Sequence, residues 1–216
     1  MTRFGFSQSL FHALLVRPLV WFALGLNVRH RERLPRCGPA IIVANHNNHL
    51  DTFVLMSLFP LSRLGRIRAV VAADYFLRTR SLEWLARNMF RAIPVKRDGW
   101  TRGDGDPLAD CAEALARGEI LIVYPEGTRG EPEQRVRLKP GVAHLAKRHP
   151  DVPVYPVFLH GLGKVLPKGS ALFVPLCCDV FVGEPIRWNG GIRAFLSSLT
   201  EAIDGLEREG NFPEWR

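Results

Sequence analysis

The sequence predicts an α/β domain built on a mixed, largely parallel sheet flanked by helices. Two observations indicate this class. First, short apolar runs rich in β-branched residues alternate along the chain with longer segments of helical pattern, and this alternation is typical of a parallel sheet. Second, the 216 residues are 47% apolar and 23% charged, which is the composition of one globular domain with a sizeable core.

Buried strands are recognised by continuous apolar runs, because a strand that is covered on both faces has no polar side. The clearest run is 119–124. Helices are recognised by their length and end signals, such as Asp106-Pro107 before a helix and Gly118 after it. The predicted elements are, in chain order, strand 39–44, helix 52–58, strand 67–73, helix 81–90 with Ser81 as its N-cap, strand 92–95, helix 106–116, strand 119–124, helix 140–149, strand 154–159, one or two strands within 172–182, and helix 192–207.

Residues 10–26 are strongly apolar but are interrupted in the middle by Arg17 and Pro18. A membrane-spanning helix needs roughly 20 mostly apolar residues, and a central arginine is costly there. A signal peptide is a poor fit, because no small-residue cleavage site follows. Two interpretations remain: two short helices separated by Pro18 lie among lipid headgroups with Trp21 at the polar boundary, or one amphipathic helix packs on the domain. We favour the first, since the arginines within 29–36 suit anionic headgroups.

The chain is basic, with a net charge of +8. A surface of this kind attracts nucleic acid, anionic lipid or phosphorylated substrates alike. The four cysteines include no CxxC pair, and the adjacent Cys177 and Cys178 are poor disulfide partners. This usage indicates a reducing compartment in which the thiols pack as small apolar groups.

The first group of candidate site residues directly follows strand 39–44. His46 and Asp51 are five residues apart, and the intervening Asn47-Asn48 tolerates a tight turn across which the two side chains can meet. An imidazole held by a carboxylate is a ready general base, because the carboxylate fixes the tautomer and stabilises the imidazolium. No G-x-S-x-G nucleophile motif accompanies the pair. The hydroxyl to be activated can therefore belong to the substrate, which favours direct transfer without a covalent intermediate on the enzyme.

Two other kinds of protein remain as alternatives. His46, His49 and Asp51 could be metal ligands, because imidazole and carboxylate suit Zn, Fe or Mn. The HxHxDH and HExxH spacings of common metallohydrolases are absent from the sequence, so we predict a site without metal. A basic module that binds nucleic acid or a membrane surface is the second alternative, and it would not need His46.

The second group follows strand 119–124 and consists of Glu126, Gly127, Thr128 and Arg129. Glycine lets backbone amides approach an anion closely, and arginine can hold a phosphate through two parallel hydrogen bonds. Glu126 is expected to accept a hydrogen bond from a substrate hydroxyl or to fix Arg129. The loop lacks the Gly-Lys-Ser/Thr ending of a Walker A sequence, and an ordinary polar turn is the alternative.

Two further basic residues are candidates for the same anion. Arg97 follows strand 92–95, and Lys139 lies at the start of helix 140–149, where the helix dipole favours an anion. A solvated surface charge is the alternative for both. Ligands of open α/β sheets bind beyond the carboxyl ends of the strands, so we expect the two groups to share one site.

With these motifs in this order, the chain resembles the glycerolipid acyltransferases, which include the bacterial 1-acylglycerol-3-phosphate acyltransferases. The resemblance rests on Asn-His-x-x-x-x-Asp from position 45, an arginine at 97, Pro-Glu-Gly-Thr-Arg at 125–129 and Val-Pro-Val-x-Pro-Val at 152–157. Of these blocks, Pro-Glu-Gly-Thr-Arg is the most specific.

The resemblance implies an O-acyltransferase that moves a fatty acyl group from acyl-CoA or acyl-carrier protein to the free hydroxyl of a lysophospholipid. The expected acceptor is 1-acylglycerol-3-phosphate, giving phosphatidate in phospholipid biosynthesis. Another lyso-lipid, such as a lyso-aminolipid, is the alternative, because Asn48 stands where the family often has serine. His46 would be the base and Asp51 its partner. The residues that would bind the acceptor are Arg97, Glu126, Gly127, Thr128 and Arg129, with Lys139 as the further candidate.

The resemblance also implies partners and location. The expected partners are membrane lipids and the acyl donor, without nucleic acid, metal or other cofactor. The expected location is the cytoplasmic face of the inner membrane. Residues 1–36 would then form N-terminal apolar and basic membrane-associating helices, and residues 37–216 the acyltransferase domain.

Overall fold

The computed structural model of the protein describes residues 8–23, 25–48, 50–76, 80–96, 105–127, 137–162 and 178–212. The strands are β1 (Leu26–Arg29), β2 (Ala40–Ala44), β3 (Ile67–Ala72), β4 (Ile93–Val95), β5 (Ile120–Val123), β6 (Val154–His160) and β7 (Cys178–Val182). The helices are α1 (residues 8–23), α2 (Leu50–Ser57), α3 (Ala73–Phe76), α4 (Arg80–Met89), α5 (Ala109–Ala116), α6 (Gly141–Arg148) and α7 (Ile192–Gly210).

The seven strands of the described chain form one sheet in the order β1-β7-β6-β2-β5-β3-β4. All neighbours pair in parallel except β6 and β7. Five strands therefore point their carboxyl ends to one edge of the sheet, while β7 and β1 run the opposite way. The predicted mixed, largely parallel sheet flanked by helices is confirmed.

The central strand β2 is buried along its whole length and feeds two cores on opposite faces of the sheet. Ile42 belongs to the core that α1 and α2 cover, whereas Ile41 and Val43 belong to the core that α5, α6 and α7 cover. Because both faces are covered, the strand has no position for a polar residue. This is the physical reason that β2 and β5 were recognisable in the sequence.

The predicted strands 39–44, 67–73, 92–95, 119–124 and 154–159 are confirmed as β2 to β6. Two of the predicted signals for a helix start are contradicted. Arg80 is already helical, so Ser81 lies inside helix α4 and is not its N-cap. Helix α5 begins at Ala109, because Asp106 forms a turn in which its Oδ1 accepts the Leu108 backbone N–H at 3.0 Å. In the predicted stretch 172–182, residues 172–177 lie outside the described chain.

Strand β1 was not predicted. Its apolar residues Leu26 and Val28 are half-buried, and Asn27 and Arg29 alternate with them as exposed residues. Among the described residues the strand pairs with β7 alone, as the outermost strand of the sheet, so it needs no continuous apolar run. Strand β1 therefore places part of the N-terminal segment 1–36, which was expected to be helical, in the sheet.

Helix α1 passes through Pro18 without a break. Two π-helical stretches, His12–Val16 and Leu19–Ala23, lie on either side of this proline. Their wider register accommodates a residue that cannot donate a backbone hydrogen bond. The expectation that Pro18 separates two short helices is wrong.

The two faces of α1 differ in character. Val16 and Val20 are buried in the core beside α2, and the Arg17 guanidinium donates to the Phe59 carbonyl at 2.7 Å. On the outer face Leu14 is 65% exposed and Phe22 is 89% exposed. The helix is thus packed on the domain and also presents a free apolar surface. No helix in the described part of the chain has the length and apolar character of a membrane-spanning segment.

Candidate active site

The loop between β2 and α2 folds around the carboxylate of Asp51. This side chain is fully buried in the first turn of α2, where the helix dipole favours a negative charge. Its Oδ2 accepts hydrogen bonds from the backbone N–H groups of Asn47 at 2.7 Å and Asn48 at 2.8 Å. The same oxygen lies 2.8 Å from Nδ1 of His46. The structure therefore brings His46 and Asp51 together.

The hydrogen bonds at Asp51 determine which nitrogen of His46 can react. Oδ2 already accepts two backbone N–H groups, which identifies it as a carboxylate oxygen and hence an acceptor. Nδ1 of His46 must then carry the proton and donate it to Asp51. Nε2 is left as the basic nitrogen, and the imidazole side chain as a whole is 19% exposed.

Three asparagine side chains anchor this loop to the end of β6. Asn45 pairs twice with the backbone of Leu159, since its Nδ2 donates to the carbonyl at 2.8 Å and its Oδ1 accepts the N–H at 2.7 Å. Asn47 donates to the same carbonyl at 3.1 Å, and Asn48 donates to the carbonyl of Leu162 at 3.0 Å. From the sequence, Asn47 and Asn48 were expected only to permit a tight turn, with Asn48 in the place of the family's serine, and Asn45 was part of the Asn-His-x-x-x-x-Asp motif. Their amides, each able to donate and accept, were the signal of a positioning role.

The second segment meets the first through Tyr124, the residue that directly follows β5. Strands β2 and β5 are parallel neighbours in which Val43 pairs with Val123. The Tyr124 ring consequently stacks on the His46 imidazole, with ring centroids 4.2 Å apart and planes inclined by 22°. The Tyr124 hydroxyl lies 3.0 Å from Oγ1 of Thr52. Burial of the phenol and the negative charge of Asp51 raise the pKa of Tyr124 well above its usual value, so the hydroxyl stays neutral.

Lys139 lies against Gly127 in the loop after β5. Its backbone N–H donates to the Pro125 carbonyl at 2.7 Å, and its side chain crosses the glycine so closely that a Cβ there would lie 3.1 Å from Nζ. Gly127 also has a φ of 71°, in the left-handed region that favours glycine. Glu126 is buried beside it. The structure therefore brings Glu126, Gly127 and Lys139 together.

Arg97, Thr128 and Arg129 lie outside the described residues, as does His49, which belongs to the metal alternative. Where the chain is described, no three His, Cys, Asp or Glu side chains come close enough to hold a metal ion.

The fold and the His46–Asp51 pair together define an α/β domain equipped for general-base chemistry at the carboxyl edge of its sheet. A family model described as Acyltransferase matches residues 25–160. The chain belongs to the Acyltransferase family, and the resemblance read from its motifs is confirmed.

Curated relatives agree with this family. The chain is 32% identical over 146 residues to 1-acyl-sn-glycerol-3-phosphate acyltransferase LPAT1, chloroplastic, of Arabidopsis thaliana, covering 67% of this chain and 38% of that protein. It is 30% identical over 178 residues to Tafazzin of Drosophila melanogaster, covering 75% and 46%. It is 26% identical over 172 residues to human 1-acyl-sn-glycerol-3-phosphate acyltransferase alpha, covering 78% and 56%. The chain therefore spans less than two thirds of each of these relatives.

A solved structure shares the fold. The 1-acyl-sn-glycerophosphate (LPA) acyltransferase PlsC from Thermotoga maritima superposes with a TM-score of 0.75 at 20% identity. The match covers 98% of this chain and 81% of that one.

Proposed function

We propose that the protein is a 1-acylglycerol-3-phosphate O-acyltransferase. It transfers a fatty acyl group from an acyl thioester to the free hydroxyl of 1-acylglycerol-3-phosphate and forms phosphatidate. The observation that carries the proposal is the imidazole of His46, held through Nδ1 by buried Asp51 and 19% exposed, beside the segment with Glu126 and Lys139. The names of the Arabidopsis and human relatives support this acceptor.

In the proposed reaction, Nε2 of His46 takes the proton of the acceptor hydroxyl. The hydroxyl oxygen attacks the thioester carbonyl carbon, and collapse of the tetrahedral intermediate breaks the carbon–sulfur bond. The imidazolium returns the proton to the departing thiolate, so the products are phosphatidate and the free thiol of the carrier. Asp51 stabilises the imidazolium between these two transfers. Acyl-CoA and acyl-carrier protein are both proposed donors.

The acceptor phosphate needs positive charge near this base. Lys139 supplies an ammonium group at Gly127, and the glycine backbone permits close approach of an anion. Arg129 and Arg97 are proposed to bind the same phosphate on the strength of their motif positions. Buried Glu126 is proposed to accept a hydrogen bond from the acceptor or to fix Arg129.

The proposed substrates are amphiphilic, so the enzyme must meet them at a lipid surface. The exposed apolar face of α1, with Leu14 and Phe22, suits insertion at the headgroup boundary. We place the protein on the cytoplasmic face of the inner membrane, with the α1 part of residues 1–36 as the attachment and residues 37–216 as the acyltransferase domain. Arginines within 29–36 suit anionic headgroups there.

The test measures acyl transfer from labelled acyl-CoA and labelled acyl-carrier protein to 1-acylglycerol-3-phosphate and to a panel of other lyso-lipids. Wild-type protein should favour 1-acylglycerol-3-phosphate, and His46→Ala should abolish transfer. His144→Ala, on exposed α6 surface, is the matched control and should behave as wild type. Wild-type rates from His46→Ala would refute the proposal, and preference for another lyso-lipid would refute the acceptor.

Membrane attachment is tested on the same preparations by sedimentation with anionic vesicles. Burial of a large apolar side chain contributes enough that Phe22→Asp should weaken vesicle binding by about tenfold or more. Ala194→Asp places the same charge on an exposed site of α7 and should leave binding unchanged. Equal binding by the two variants would argue against α1 as the attachment.

A further inference from the structure

The proposed base, His46, is one member of a closed circuit of contacts, in which each residue touches the next and the last touches the first. His46 bonds to Asp51 at 2.8 Å, Asp51 is covalently joined to Thr52, Thr52 lies 3.0 Å from the Tyr124 hydroxyl, and the Tyr124 ring stacks on His46. Each link joins a different pair of groups. The circuit spans two separate segments, because Thr52 and Tyr124 are 72 residues apart in the chain.

The circuit restrains the imidazole in two directions. Asp51 holds one edge of the ring through Nδ1, whereas Tyr124 covers one face at 4.2 Å. An edge contact alone leaves the ring free to turn about the hydrogen bond. With a face contact added, Nε2 keeps one direction, which is the condition for proton transfer to a positioned hydroxyl.

The tyrosine ring also faces the charge that the proposed reaction creates. An aromatic face carries partial negative charge and attracts a cation stacked on it. The imidazolium formed when His46 takes up a proton would lie against this face. Tyr124 itself stays neutral, so it does not compete for the proton.

We propose that Tyr124 is a positioning residue for the general base and that its hydroxyl bond to Thr52 holds the ring in place. This inference rests on the proposed function, because it assumes that His46 is the base. It assigns a role to the residue directly before the Pro-Glu-Gly-Thr-Arg segment. It also makes the contact between the two segments part of the catalytic apparatus.

The first experiment separates the ring from its hydroxyl. Tyr124→Leu removes both, and we expect kcat to fall by about ten- to thirtyfold with the KM for the acceptor unchanged. Tyr124→Phe keeps the ring and should therefore retain most of the activity, with kcat only about threefold below that of wild type. Tyr155→Phe removes the hydroxyl of a half-buried tyrosine on β6, outside the circuit, and should match wild type.

A double-mutant cycle tests the hydroxyl bond without removing the ring. Thr52→Val and Tyr124→Phe should each lower kcat by a similar factor, and the double variant should be no slower than either single variant, because both remove the same contact. This cycle remains informative if Tyr124→Leu fails to fold. Full additivity of the two losses would overturn the role of the Thr52 bond.

A spectroscopic measurement tests the stack itself. The ring protons of His46, identified by their loss in His46→Ala, should be shifted upfield by the Tyr124 ring in wild type and in Tyr124→Phe. The shift should vanish in Tyr124→Leu. An unshifted wild-type signal, or a wild-type kcat from folded Tyr124→Leu while His46→Ala is inactive, would overturn the positioning role alone. Full activity of His46→Ala would overturn the proposed function and this inference with it.

Discussion

One buried carboxylate lies at the carboxyl ends of the central strands, which form the carboxyl edge of the sheet, and another lies at their amino ends, the amino edge. The two carboxylates have different kinds of partner. At the carboxyl edge, Asp51 bonds to backbone amides and to the imidazole of His46. At the amino edge, Glu119 is surrounded by the guanidinium groups of Arg68 at 2.5 Å and of Arg91 and Arg117 at 3.6 Å. Four residues of β5 separate Glu119 from Tyr124, a distance of about 16 Å.

The difference between the partners separates a structural carboxylate from one suited to chemistry. Arginine is protonated at every ordinary pH, so the charge of Glu119 is compensated permanently and no proton moves there. Burial and the nearby Arg68 lower the pKa of Arg91, and the backbone of Arg91 has a φ of 46°. Both observations indicate that packing these arginines at the amino edge costs free energy. Asp51 instead faces an imidazole, the side chain that most often serves proteins as a general acid or base. Burial alone therefore does not distinguish a carboxylate with a functional role from a structural one. The partner does, since Asp51 bonds to an imidazole and Glu119 to guanidinium groups.

The largest expected effect is a loss of kcat when Asp51 is replaced. Asp51→Asn keeps the shape of the side chain but no longer fixes the tautomer or supports the imidazolium. We expect kcat for acyl transfer to fall by about 10³- to 10⁴-fold. Thermal unfolding of the same sample should confirm a folded protein. A rate within tenfold of wild type would mean that Asp51 is no more than a structural carboxylate.

Glu119→Gln should act on stability and spare the chemistry. Removing one partner of a buried ion pair leaves unpaired charge, and because the arginines are partly exposed we expect a loss of about 3 kcal/mol, or roughly a hundredfold in the unfolding constant. Denaturant unfolding measures this, with kcat of the folded variant unchanged. Glu113→Gln is the control, since its exposed pair with Arg117 contributes only about 0.5 kcal/mol. Equal losses from the two variants would contradict the comparison.

The smallest expected effect concerns Asn48. Asn48→Ser can still accept the Leu50 backbone N–H but loses the bond to the Leu162 carbonyl. The loss of one neutral, buried hydrogen bond beside the His46–Asp51 pair should lower kcat by about two- to fivefold. Asn189→Ser, which removes an exposed amide bond to Ser198, serves as the control and should leave kcat unchanged. A loss as large as that of Asp51→Asn would show that the loop depends on this single amide.

Most of the fold could be predicted because the central strands are apolar throughout. Strand β5 is buried on both faces, and its run of Ile120 to Val123 has no other reasonable interpretation. Edge strand β1 escaped prediction because Asn27 and Arg29 interrupt it. The path of α1 across Pro18 escaped because local proline rules do not include the packing of Val16 and Val20.

The site was predictable in its residues more than in its contacts. The motif spacing indicated His46 and Asp51, and the strand ends indicated a shared edge. The stack of Tyr124 on His46 depends on the register that pairs Val43 with Val123, and no local pattern encodes that register. The roles of Arg97, Thr128 and Arg129 stay predictions from their motif.

The amide anchors of the first loop have a consequence for biosynthesis of the protein. Asn45, Asn47 and Asn48 bond to backbone groups that are 112 to 114 residues later in the chain. Contacts at such separation form late in folding, because the chain must first lose the conformational entropy of closing a long loop. A nascent chain that has not yet reached Leu162 lacks hydrogen bonds that hold the loop between β2 and α2. The loop that carries His46 and Asp51 can therefore reach its final conformation only after the chain has been made through Leu162.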